Sequence, residues 1–219
     1  RLSSVARQHF LPFPRETETG DLRAEALSDL HHQLKDMYPL EAADWDLFQN
    51  CVRWETSAKG DLLLQPGQIS DCIRFLHRGA VIYYDSVDEE QQLEQVGWIA
   101  QPGEMVLEII SFFQRCPTEV YLKCTTDCAF LTLSYTDLQT LYFASPAWNT
   151  IGRRMTEEYM LLMAERTRFH RLNSAQEKYR YFSERFPQAL QLVPQRHIAA
   201  FLGIRPETLS RLRSRKIIS

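Results

Sequence analysis

The sequence predicts an α+β protein in three parts: an N-terminal antiparallel β module, one long helix, and a C-terminal pair of short helices joined by a tight turn. Three observations predict it. Between Lys59 and Leu133, short segments rich in β-branched, aromatic and leucine residues alternate with turn signals. From Pro146 to about Leu172, mostly apolar positions recur at helical spacing. From Pro194 to Ser219, two short amphipathic stretches flank a single glycine.

Residues 1–26 mix Pro, Thr, Glu and Arg with little periodicity and read as a loose extension. Leu27, Leu30 and Leu34, then Trp45 and Phe48, fall at helical spacing broken near Pro39, which predicts one or two leading helices. Strand segments follow at Leu62–Gln65, Cys72–Leu76, Val81–Asp85, Leu93–Ala100, Thr118–Cys124 and Ala129–Leu133. Turn signals separate them, among them Pro66-Gly67, Arg78-Gly79, Asp88-Glu89-Glu90 and Pro102-Gly103. Short strands at this spacing predict an antiparallel sandwich, roll or barrel.

Ser134 with Asp137 three residues on resembles a capping box, and predicts a short helix through Leu138 and Leu141. In the long helix, Trp148, Gly152, Met155, Tyr159, Leu162, Arg166 and Phe169 alternate four and three residues apart. That 3.5-residue period predicts a coiled-coil seam able to pair with a second copy, interrupted by Gly152 and Arg166. A second capping box, Ser174 with Glu177, starts the next helix, which buries Tyr179, Phe182 and Phe186; Ser174 is then a hinge.

The last 26 residues carry the most information. Pro194 and Pro206 each open a helix, because a fixed φ and a missing N–H suit its first turn. Gly203 sits where the chain reverses and favours a left-handed residue. Ile198, Leu202, Ile204, Leu209 and Leu212 close an apolar core between the helices, and Ala199 and Ala200 let them cross closely. The outward positions of the second helix are then Glu207, Thr208, Ser210, Arg211 and Arg213, donors and acceptors suited to base edges and phosphates. This predicts a DNA-binding helix-turn-helix.

The net charge of −3 alone argues against nucleic acid, but it hides an asymmetry. Residues 151–219 hold 14 Lys+Arg against 6 Asp+Glu, whereas residues 1–150 hold 11 against 22. A basic C-terminal part on an acidic N-terminal one is the footprint of a DNA-binding domain attached to another module. The chain accordingly divides into an extension (1–26), a sensor-like β domain with flanking helices (27–145), a dimerisation helix (146–172) and a DNA-binding domain (173–219).

No apolar run approaches membrane-spanning length and no signal peptide is visible, so a membrane partner is not expected. Five scattered cysteines include no C-x-x-C pair, which points away from zinc and iron–sulfur centres and towards a reduced, cytoplasmic protein. Cys124 and Cys128 fall on strand segments as buried free thiols. No H-E-x-x-H, G-x-S-x-G or phosphate-loop motif is present. Glu108, within Met105–Ile110, is the single acid in an apolar stretch; without an acid–base partner it does not make an enzyme. Neither a cofactor nor a metal is expected.

With the β module, helix and helix-turn-helix in this order, the chain resembles the Crp/Fnr-type transcription regulators, the family of the cyclic-AMP receptor protein, from about Tyr38 to Arg213. The sharpest motif is G-I-R-P-E-T-L-S-R, Gly203 to Arg211, similar to the family's recognition helix. K-G-D-L-L-L-Q-P-G (Lys59–Gly67), F-L-H-R-G-A-V (Phe75–Val81) and the Q-P-G-E…E stretch from Gln101 to Glu108 resemble its β-roll. The resemblance implies a cyclic-nucleotide-binding-like β-roll and a homodimer paired through the 146–172 helix. It implies binding to a near-palindromic DNA site, with RNA polymerase as a further partner. Glu207, Ser210 and Arg211 match base-contacting positions; Gln195, Arg196, Thr208 and Arg213 are assigned to phosphates. Pro206 replaces an arginine that reads a guanine in the cyclic-AMP receptor branch, and E-x-x-S-R is closer to the Fnr branch with its TTGA-like half-site.

The ligand site departs from the family. Leu107 precedes Glu108 where cyclic-nucleotide binders have glycine, and Thr118 and Glu119 stand where they have the Arg-Ser pair that holds the cyclic phosphate. Losing the guanidinium removes a bidentate phosphate partner, and Glu119 adds repulsion. Glu108, Thr118 and Glu119 therefore mark a candidate pocket, but not one for cyclic AMP. The Fnr iron–sulfur option fails for want of cysteines before Cys51. The family usually follows its recognition helix with a β-hairpin wing, whereas only Ser214 to Ser219 remain here. A rival reading keeps the β module as a ligand sensor whose output is protein–protein contact through the C-terminal helices.

Overall fold

A computed structural model of the chain describes residues 16–88, 93–172 and 174–216. It begins with α1 (Glu16–Met37) and α2 (Ala42–Cys51). Residues 16–26, expected in a loose extension, are helical instead. Leu22, Ala26, Leu30 and Leu34 bury one stripe of α1, which the scarcity of apolar residues before Leu22 concealed. Residues 1–15 of that extension lie outside the described residues.

Eight strands follow, two of them not foreseen: β1 (Arg53–Ser57), β2 (Leu62–Leu64), β3 (Cys72–Arg78), β4 (Val81–Asp88), β5 (Leu93–Ala100), β6 (Met105–Val106), β7 (Tyr121–Cys124) and β8 (Cys128–Ser134). β1 escaped because Arg53–Ser57 is mostly polar and pairs at an edge; β6 is two residues long. The strands form two four-stranded sheets, in the orders β1-β8-β3-β6 and β2-β7-β4-β5, with every pair antiparallel. Leu64, Leu76, Val81, Val106, Leu122 and Phe130 fill the space between the sheets. Cys124 and Cys128 are buried there as free thiols. Gly79 makes the β3–β4 turn at φ 97°, and a Cβ there would stand 2.5 Å from the Asp127 carbonyl oxygen, so both backbone and space require glycine.

Between β6 and β7 lies α3 (Ile109–Gln114), and after β8 come α4 (Tyr135–Ala144) and α5 (Pro146–His170). Ser134 caps α4 as expected: its hydroxyl oxygen accepts from the Asp137 N–H at 3.0 Å and its O–H donates to the Asp137 carboxylate at 2.6 Å. α1, α2, α4 and the first turns of α5 pack on the outer face of the first sheet, around Phe48, Phe112, Leu131, Leu133 and Trp148.

The α5 seam requires a correction. The positions read as a surface for a second copy mostly face the chain itself. Trp148 is buried against Phe48 and donates its indole N–H to the Asp44 carbonyl. Gly152 receives the Tyr142 ring so closely that a Cβ there would have to displace it. Arg166 donates to the Gly97 carbonyl at 2.7 Å and lies over Trp98, and Phe169 is buried. Intramolecular packing produces the same 3.5-residue stripe as a coiled coil. The opposite face leaves Met160 and Leu161 exposed at 66% and 67%.

The C-terminal part comprises α6 (Ala175–Arg185), α7 (Ala189–Leu192), α8 (Gln195–Leu202) and α9 (Pro206–Lys216). Ser174 caps α6 through the Glu177 N–H and carboxylate. This part shares one core with the β-roll: Ile82, Tyr84, Val96 and Ile99 of the second sheet join Phe169, Phe182, Phe186, Phe201 and Leu209. Polar contacts fix the junction. The Gln101 side chain donates to the Arg185 carbonyl at 3.2 Å and accepts from the Ala189 N–H at 3.3 Å. Arg185 pairs with Glu104 at 3.0 Å; burial pushes the Glu104 carboxyl above its usual range, with Arg185 opposing that shift.

Candidate nucleic-acid interface

α8 and α9 form the helix–turn–helix that the sequence predicts. α8 ends because Gly203 adopts φ 64° and ψ 37°, the left-handed cap. Its N–H donates to the Ala200 carbonyl at 3.1 Å, and the Ile204 N–H reaches Ala199 at 3.0 Å. Lys178 of α6 donates to the Leu202 carbonyl at 3.2 Å, placing a cation at the negative end of α8. Pro206 is the first residue of α9. Pro194 sits one position earlier than expected, as the N-cap of α8.

The apolar residues face one another. Ile198, Ala199, Leu202 and Leu209 are buried, with Ala200, Ile204 and Leu212 packed at the margin. Leu209 is fully buried against α8, which leaves the far face of α9 to solvent. Glu207, Ser210 and Arg211 are exposed on α9, and Gln195 and Arg196 are exposed at the start of α8. Thr208 and Arg213, expected to point outward, are half-buried instead; α9 lies on its core with a wider face than the five-residue reading assumed. The Arg211 Nε–H makes only a long contact with the Glu207 carbonyl, 3.4 Å. Its guanidinium stands beside the Glu207 and Ser210 positions at the solvent face. α9 thus presents a carboxylate, a hydroxyl and a guanidinium on one face, an acceptor and donors of the kind that pair with base edges in a major groove. The last residues, 217–219, where a wing would begin, lie outside the described residues.

Two of the three candidate pocket residues are engaged locally. Glu108 caps α3, accepting from the Ser111 N–H at 2.7 Å and the Ile110 N–H at 3.2 Å. Thr118 is buried, its hydroxyl oxygen accepting from the Val120 N–H at 3.0 Å. Glu119 is exposed. Tyr83 packs against the core of the roll and its hydroxyl accepts from the Leu107 N–H at 3.2 Å, with burial raising its pKa. The backbone donor next to Glu108 is thereby already used by the protein.

No family model matches the chain, and no curated protein matches it by sequence. Solved structures do match. CLP of Xanthomonas campestris, described as a c-di-GMP-responsive global regulator, superposes with a TM-score of 0.56 at 18% identity, covering 81% of this chain and 92% of that one. FixK2 of Bradyrhizobium japonicum superposes with a TM-score of 0.58 at 16% identity, covering 75% of this chain and 83% of that one. A CooA variant of Carboxydothermus hydrogenoformans gives 0.55 at 15% identity, with 76% and 77% covered. These are Crp/Fnr-type regulators. The chain therefore has the Crp/Fnr-like fold, a cyclic-nucleotide-binding-type β-roll joined to a helix-turn-helix.

Proposed function

We propose that this protein is a sequence-specific DNA-binding transcription regulator of the Crp/Fnr type that works as a homodimer and is not controlled by cyclic AMP. The observation that carries this reading is the solvent face of α9, where Glu207, Ser210 and Arg211 stand exposed while Leu209 anchors the helix from behind. Arg211 donates to guanine O6 and N7, and Glu207 accepts from a cytosine amino group. Gln195, Arg196, Thr208 and Arg213 contribute to phosphates. Replacing the arginine of the cyclic-AMP receptor branch, Pro206 gives this chain a different operator. Selective, salt-sensitive binding to duplex DNA tests the reading, and separates it from a sensor that signals through protein contact alone.

Dimerisation fits the outer face of α5 better than the seam. Met160, Leu161 and Ala164 form an exposed apolar centre flanked by Arg153, Glu157 and Arg168, and Arg153 pairs with Glu157 along the helix. Two copies crossing here bury that centre and bring two α9 helices to one DNA site. Leu161→Glu places a carboxylate in the centre and is expected to convert the dimer to monomer, as read by sedimentation velocity. An unchanged sedimentation coefficient places the interface elsewhere.

Insensitivity to cyclic AMP follows from chemistry at three positions. Thr118 and Glu119 offer no guanidinium to a cyclic phosphate, and Glu108 spends both oxygens on capping α3. Calorimetry is expected to give no binding heat with cyclic AMP at concentrations that saturate a cyclic-AMP receptor. Tight binding contradicts this part of the reading.

A further inference from the structure

The leading helix carries a side-chain cluster that DNA reading does not use. Ile73, Phe75 and His77 alternate along β3 and so share one face. Ile73 and Phe75 pack into the helical core, and His77 continues their row. On α1, Ala26 and Leu30 enter the same core. Glu25 and Asp29, one residue before each and one helical turn apart, flank it and bracket the imidazole.

The bracket is too wide for hydrogen bonds. His77 Nε2 is 3.8 Å from Glu25 Oε2, and Nδ1 is 3.7 Å from Asp29 Oδ2. The His77 side chain is only 9% exposed. Its Nε2 is buried with no hydrogen-bond partner among the described residues. One donor atom from each of the three residues lies within 4.8 Å of the others. Around a tetrahedral ion with bonds of about 2.0–2.1 Å, neighbouring donors stand roughly 3.3 Å apart. An ion takes one imidazole nitrogen, here Nε2, which has no other partner among the described residues. Glu25 already faces it, and Asp29, whose side chain is 64% exposed, swings round from the Nδ1 side to join them.

We propose that Glu25, Asp29 and His77 form a divalent transition-metal site that staples α1 to β3. One imidazole with two carboxylates is a borderline-hard donor set, suited to zinc or manganese rather than to calcium or copper(I). Three protein ligands leave a further position for water. Arg78, whose Nη2 lies 3.3 Å from Glu25 Oε2, orients that carboxylate and offsets one negative charge, so the affinity is moderate. Sequence spacing could not reveal the set, because His77 lies far along the chain from the two acids and joins them only when α1 covers the sheet. The metal fixes a helix that packs in one core with Trp148 and Ile151, at the base of α5.

The test uses the full chain, stripped with a chelator and dialysed free of it. It is titrated with Zn²⁺ alone, and separately with Mn²⁺ alone, by calorimetry, with the melting temperature followed in parallel. The expected result is one ion bound per chain and a raised melting temperature for at least one of the two metals. His77→Gln, and separately the double change Glu25→Gln with Asp29→Asn, are each expected to weaken binding by at least about tenfold. His32→Gln, at an exposed position of α1, is expected to leave it unchanged. Should His77→Gln fail to fold by circular dichroism, the double variant, altered only at part-exposed carboxylates, decides. Absence of binding to either metal overturns the proposal. So does one-to-one binding that the folded double variant retains.

Discussion

Replacing Phe201 by alanine is expected to lower the unfolding free energy by about 3–5 kcal/mol, the usual cost of deleting a large aromatic from a packed core. Phe201 sits on α8 but meets rings from α5, α6 and β5, as well as the α6 cap. Its ring stacks on Phe169 at 5.3 Å, meets Phe182 at 5.5 Å and Phe186 at 5.7 Å, and lies edge-on to Trp98 of β5 at 6.2 Å. Deleting it opens a cavity that the C-terminal helices and the sheet border together. Urea denaturation followed by tryptophan fluorescence measures the loss. Phe143→Ala is the control: that ring is 93% exposed, and its removal is expected to change stability by no more than about 0.5 kcal/mol. Equal midpoints for Phe201→Ala and the parent would mean that the C-terminal helices are not seated on the roll.

The second large effect lies in binding. Arg211→Ala is expected to cost about 1–3 kcal/mol against the preferred operator and to relax selectivity at one base of each half-site, because a bidentate guanidinium–guanine pair is lost. Stability should hardly move, since Arg211 is exposed and its one backbone contact is long. Arg196→Ala, at the exposed start of α8, is expected to weaken all sequences alike and to flatten the salt dependence, as proposed for a phosphate contact. Fluorescence anisotropy with matched and mismatched duplexes at two salt concentrations distinguishes the two patterns. A uniform loss for Arg211→Ala would move that residue from base reading to backbone contact.

Local signals told the truth where a residue's role is set by its neighbours. Ser134 with Asp137 and Ser174 with Glu177 cap helices because the hydroxyl reaches an N–H three residues on. Gly203 ends α8 because its backbone needs a left-handed cap. What the sequence hid depends on tertiary packing. The α5 stripe has the period of a coiled coil, yet the β-roll and Tyr142 occupy it, and periodicity does not say which surface a stripe meets. Glu108 stood out as an acid among apolar residues; its job is a helix cap, which becomes visible only once Ile109–Gln114 is known to be helical. The seating of the C-terminal helices on β4 and β5 rests on Ile82, Tyr84, Val96 and Ile99. On a strand pattern alone these are merely the second face of a sheet.

Selection of bound sequences from a random duplex pool tests the central claim, that α9 reads DNA as one half of a symmetric pair. The account predicts an enriched, inverted repeat whose half-site centres lie about one helical turn apart, roughly 34–36 Å. It also predicts that Arg211→Ala loses preference at one position in each half. A pool that emerges without an enriched motif, or with one that Arg211→Ala selects unchanged, contradicts it.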